Sequence, residues 1–87
     1  MEVSVWDTYV VKKNGDTMHF DIVVPDHIAE ESIVHKMGKE YLISKNQENQ
    51  PLTSRECRLC HQEAASVEME SGIADKGYYI IEMEGCD

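Results

Sequence analysis

Two alternating runs around a tight-turn dipeptide constrain this chain more than any other feature. Val3 to Val11 alternates and is rich in β-branched and aromatic residues, Thr17 to Val24 does the same, and "KNGD" lies between them. Such residues at a period of two suit pleated, half-buried strands. Asn-Gly supplies the two positive φ values of a type I′ turn. The expectation is a β-hairpin with a two-residue loop at Asn14-Gly15. That loop pairs Lys13 with Asp16. It sets Val11 against Met18, Tyr9 against Phe20, Asp7 against Ile22 and Val5 against Val24 as the buried row. Trp6 with Val23, Thr8 with Asp21 and Val10 with His19 then form the other face. A slip of one residue exchanges the faces of a strand, so the register is a sharp expectation. It leaves Asp7 in the apolar row, where a carboxylate needs a hydrogen bond or a counter-charge. A bond to a nearby group is the expected resolution, and a tuned acid or base is the alternative. His19 and Asp21 share the second face, as a solvated pair or an acid/base pair.

Pro25-Asp26 ends the second run and opens a helix. Asp26 is placed to cap it, and Glu30 and Glu31 suit its positive end. Ala29, Ile33, Val34, Met37 and Tyr41 form its apolar stripe. Gly38 inside that stripe costs about 1 kcal/mol relative to alanine and marks close packing on a sheet. Lys45 to Pro51 is a polar loop. Ser66 caps a second, shorter helix, with Met69 and Ile73 facing inward and Gly77 ending it. "YYIIEM", Tyr78 to Met83, is apolar on both parities, as in a central strand covered on both faces.

The stretch between the helices reads two ways. Thr53 and Glu56 have the spacing of a capping box, which favours a helix from Ser54. A tight turn at Cys57 to Cys60 leading into a short strand at His61 to Ala64 is preferred. The fold class is then α+β: a small mixed sheet of three to four strands opened by a β-hairpin, with two helices packed on it, in the order ββαβαβ. The alternative is ββααβ. In the preferred topology the short strand pairs beside the last one through a parallel crossover.

A chain of 87 residues makes one small domain, 1–87, with a thin core that favours a metal staple or self-association, so a monomer or homodimer is expected. Seventeen acidic residues stand against eight basic ones, and this net charge of −9 repels phosphate backbones and anionic membranes. Neither nucleic acid nor membrane is an expected partner, and the partner is otherwise unknown. The opening MEVSVWDTYV lacks the basic and continuously apolar segments of a signal peptide. No apolar run approaches the roughly 18 residues of a membrane span. A cytoplasmic location with reduced thiols follows.

The stretch "CRLCHQE", Cys57 to Glu63, carries the most chemistry. C-x-x-C-H is the haem-attachment pattern, but that chemistry needs an exported chain. As a zinc site, Cys57, Cys60 and His61 supply three ligands, and Cys86 is the fourth if its tail reaches the turn. The crossover topology argues against that reach. His19, His27 and Glu63 are lesser candidates for the fourth place. As a redox pair, Arg58 and His61 favour a thiolate while Glu56 opposes it. Simple packing of small apolar thiols is the remaining reading. No phosphate loop, nucleophile elbow or dinucleotide fingerprint occurs.

Taken together, "VWDTYV", "MHFDIVVPD", "CRLCHQE" and "GYYIIEMEGC" resemble the small bacterial family called domain of unknown function number twenty twenty-four. The resemblance runs the length of the chain and implies a compact bacterial α+β domain that stands alone. It transfers no activity and no catalytic residue. The expected function is therefore a non-catalytic stand-alone domain with an interaction or regulatory role. The alternative is a zinc-type metal-binding or thiol-redox protein using Cys57, Cys60, His61 and Cys86.

Overall fold

A computed structural model describes all residues, Met1–Asp87. The elements follow the order β1 (Glu2–Val11), β2 (Thr17–Pro25), α1 (Glu31–Ser44), β3 (Cys57–Ala64), α2 (Val67–Lys76) and β4 (Tyr79–Glu84). This is the ββαβαβ α+β fold. The four strands make one sheet in the order β3-β1-β2-β4. All three pairings are antiparallel, where a mixed sheet was expected. The last strand is an edge, not the centre, and it lies across the sheet from β3 instead of beside it.

The hairpin forms where expected, with a different loop. Lys12 and Asp16 close it through Lys12 N–H to Asp16 O at 2.7 Å, and Gly15 N–H reaches Lys12 O at 2.9 Å. Gly15 has φ +93°, whereas Asn14 is absent from the residues with positive φ. The loop is a three-residue turn closed by a left-handed glycine, not a type I′ pair. The Asn14 side chain accepts from Asp16 N–H at 2.9 Å and holds this geometry. The register is therefore one residue from expectation: Val10 faces Met18, Thr8 faces Phe20, Trp6 faces Ile22 and Asp7 faces Asp21.

That slip exchanges the faces of β1. Trp6, Val10, Met18, Phe20, Ile22 and Val24 bury against Val34, Tyr41 and Leu42 of α1. On the opposite face Val3, Val5 and Val23 pack with Met69 of α2, joined by Ile73, Tyr79 and Ile81. The two helices thus lie on opposite sides of the sheet. This explains why β4 reads apolar on both parities although it is an edge: Ile80 meets the α1 side, while Tyr79 and Ile81 meet the α2 side.

Each helix approaches its sheet through a glycine. A Cβ on Gly38 would sit 2.6 Å from Leu52 Cδ1 and 2.8 Å from Ile22 Cδ1, as the close-packing expectation required. Ser66 accepts from Met69 N–H at 3.2 Å and caps α2, and Gly77 ends it in the left-handed region. The start of α1 departs from expectation. Glu30, not Asp26, holds the cap position, and no side chain caps it. Ile33 is exposed, and Gly38 and Leu42 join the buried stripe in its place. No helix is long and apolar enough to cross a membrane.

Candidate metal centre on the open sheet face

α2 covers only one end of its face of the sheet. Beyond Val5 and Val23, the same face carries Asp7 and Tyr9 from β1 and His19 and Asp21 from β2. Direct pairing of Asp7 with Asp21 and of Tyr9 with His19 puts these four side chains together. The Tyr9 and His19 rings stack with centroids 4.0 Å apart and an interplanar angle of 13°. His19 Nε2 lies 2.6 Å from Asp7 Oδ1. One donor atom each from Asp7, His19 and Asp21 falls within 4.8 Å of the others, and all three side chains are half-buried.

The electrostatics of the cluster follow from that crowding. Burial pushes the Asp21 carboxyl above its ordinary range, and the charge of Asp7 and a hydrogen bond that protonated Asp21 donates to it act the same way. His19 and His61 oppose the shift. The Tyr9 hydroxyl is also raised, by partial burial and by Asp7, Asp21 and Glu84. Two carboxylates directly opposite on neighbouring strands repel, at a typical cost of about 0.2–1 kcal/mol. A bound cation reverses that sign.

The residues singled out by the sequence take other places. Cys57 opens β3, is fully buried and accepts a hydrogen bond from the Thr8 hydroxyl at 3.3 Å through its Sγ. Burial pushes its thiol up to about 11. The turn precedes it: Thr53 N–H and Oγ1 both donate to the Glu56 carboxylate, and Cys57 N–H reaches back to Thr53 O. Thr53 and Glu56 therefore close a turn that launches a strand, not a helix. β3 pairs His61 with Val5 and Leu59 with Trp6, which leaves Cys60 in a β-bulge, exposed. His61 binds Glu63 at 2.6 Å on the surface of β3. Cys86 is buried, with its Sγ against the carbonyls of His19 and Glu84. That puts it over β2, two strands from β3, or about 10 Å at ordinary strand spacing. Cys57, Cys60, His61 and Cys86 are thus distributed over a core position, a bulge, a strand surface and a far edge.

A groove of about 470 Å³ runs along β4 between α1 and α2. Its polar groups are engaged with one another: the Tyr41 hydroxyl and Lys45 both bind Glu82, and the Tyr78 hydroxyl binds Glu40. The open face of β1 and β2 is different: Asp7 and Asp21 lie directly opposite each other, with His19 bonded to Asp7 as their one basic neighbour on these two strands.

Fold and site together define a class: a small α+β sheet domain with one face half open and a His-carboxylate cluster on the opening. The chain belongs to the family described as a domain of unknown function (DUF2024), whose model matches residues 1–83. It is similar to protein NE1680 from Nitrosomonas europaea, whose NMR structure matches at 39% identity and a TM-score of 0.86, with 100% of each chain covered. No curated protein matches the chain.

Proposed function

We propose that this protein is a non-catalytic, stand-alone regulatory domain that binds a divalent metal ion through Asp7, His19 and Asp21. The observation that carries the reading is the convergence of three donors within 4.8 Å on two adjacent strands. Two ligands held at about 2.1 Å from one ion are at most about 4.2 Å apart, so small rotamer shifts close the site. One imidazole and two carboxylates suit zinc or manganese and leave coordination positions open. The strands are rigid elements, and the Tyr9 ring stacked on His19 supports its orientation. Binding requires His19 to give up its bond to Asp7, and it offsets the repulsion between Asp7 and Asp21.

This placement differs from the cysteine-histidine set that the sequence offered as its alternative reading, and one experiment separates them. Amide spectra recorded during a Mn²⁺ titration should broaden first around Asp7, His19 and Asp21. Zn²⁺ binding measured by calorimetry should be lost in Asp7→Asn and kept in a Cys57→Ser/Cys60→Ser double variant. Binding that survives Asp7→Asn and disappears with the two cysteines would transfer the site to the thiols. No saturable binding of either ion would end the metal reading altogether.

A further inference from the structure

A pocket of about 340 Å³ opens beside the cluster, lined by Asp7, Tyr9, Arg55, Glu56 and Arg58. Arg55 and Arg58 are the only two arginines in the chain. Both line this one pocket. Neither forms an ion pair, although acids outnumber bases two to one across the molecule. Arg58 is the direct cross-strand neighbour of Asp7, yet its Nε donates to the backbone carbonyl of Ser54 at 3.2 Å. Glu56 is likewise occupied, by the two donors of Thr53. The two guanidinium groups are therefore left without a carboxylate in a chain that has many to offer.

Arginine is the side chain best shaped to hold carboxylate or phosphate, through paired N–H donors. In the metal-free pocket the two positive charges are balanced by Asp7 and Glu56. A divalent ion at Asp7 tips the balance to net positive and presents open coordination positions on the same wall. From this juxtaposition we infer that the pocket takes a small phosphate- or carboxylate-bearing molecule. Its anionic group is held between the metal ion and the Arg55–Arg58 pair, with the exposed Tyr9 ring as a flanking wall. The inference rests on the metal reading above and extends it to a ligand class. Anion binding is metal-dependent: the ion cancels the charge of Asp7 and supplies the central contact.

The test uses Mn²⁺-loaded protein and inorganic phosphate, followed by ³¹P relaxation, with acetate as a competing carboxylate. Bound phosphate should relax faster than phosphate with Mn²⁺ alone, and acetate should reverse the effect if the site reads the anionic group itself. Arg55→Ala and Arg58→Ala should each weaken phosphate binding about tenfold or more, as expected for loss of a charge-assisted bond, while Mn²⁺ affinity stays within about twofold. Arg58→Lys should restore only part of the loss. Unchanged phosphate binding in both arginine variants would overturn the inference and leave the metal site standing. Absence of Mn²⁺ binding in the separate amide titration would remove the metal reading, and this one with it.

Discussion

Replacing Gly72 by alanine should destabilise the protein, although alanine is the better helix former. At an exposed helical position the exchange gains about 1 kcal/mol. Here the new Cβ would lie 2.5 Å from Tyr79 Cδ1 and 3.1 and 3.2 Å from Tyr79 Cβ and Cγ. Carbon atoms sit comfortably at about 3.5–4.0 Å, so the overlap approaches 1 Å. Rotating the Tyr79 ring clears the first contact but not the second, because the Tyr79 Cβ is fixed to the β4 backbone. α2 must then move off the sheet, away from the cluster of Val3, Val5 and Val23. Overpacking of this kind costs about 1–3 kcal/mol, and a backbone-anchored clash belongs at the upper end. With the propensity gain subtracted, the net loss is about 2 kcal/mol, or a fall of roughly 8–16 °C in Tm for a domain of this size. Urea unfolding followed by circular dichroism measures it; a Tyr79→Ala background should remove only the ring's share of the penalty, and a Tyr79→Gly background, which also lacks the Cβ, should remove more, as coupling between touching residues. A Gly72→Ala protein as stable as the parent, or more stable by the propensity gain, would refute the packing of α2 on β4.

Three further outcomes follow from the same structure. In native protein at neutral pH a thiol reagent should modify only Cys60 rapidly, since Cys57 and Cys86 are buried; a second fast thiol would contradict the burial of Cys57 or Cys86. Stability should fall at alkaline pH. The folded Cys57 keeps its proton to about 11 while the unfolded thiol loses it near 9.0, so the contribution is complete below pH 9 and gone above 11. That is at most about 2.7 kcal/mol at 1.36 kcal/mol per unit. Cys57→Ala should flatten the decline between pH 9 and 11 whatever its cost at pH 7, and Tyr78, pushed up to about 12, should prolong the decline at higher pH. Asp21→Asn should stabilise the metal-free protein by about 0.2–1 kcal/mol, by ending a like-charge cross-strand pair, while abolishing Mn²⁺ binding; a loss of stability would mean that Asp7 and Asp21 do not repel.

The hairpin, the helix ends at Ser66 and Gly77, and the order ββαβαβ were legible because each rests on local chemistry. The register was not, and the cluster was lost with it. Asn-Gly admits a two-residue loop or a three-residue turn, and both place the glycine at positive φ. β1 does not decide between them, since Val3 and Val5 are apolar on one parity and Trp6 and Val10 on the other. Only the two helices, packing from opposite sides, make both parities useful. The usable signal was Asp7, which the two-residue loop stranded among apolar residues. Shifting the pairing by one removes that conflict and brings Asp7, Tyr9, His19 and Asp21 onto one face. The thiol motif drew attention because its spacing matches metal sites. Its residues are separated by a bulge that no local pattern announces, and Cys86 is carried to β2 by a topology that joins neighbouring segments of sequence across the full width of the sheet.

The strand order has a kinetic consequence. Both edge strands dock on the first hairpin, β3 on β1 and β4 on β2, and they never touch each other. Neither has a template until Glu2–Val11 and Thr17–Pro25 have paired in register. The transition state for folding should therefore contain the hairpin with α1 laid over Phe20 and Ile22, while β3 and β4 remain unattached. Mild truncations at Phe20 or Val10 should slow folding, whereas those at Met69 or Tyr79 should mainly speed unfolding. Because the edges attach independently, each can also detach independently. Amide exchange should then show β3, exposed over nearly its whole length, opening at a lower free energy than the hairpin that holds it.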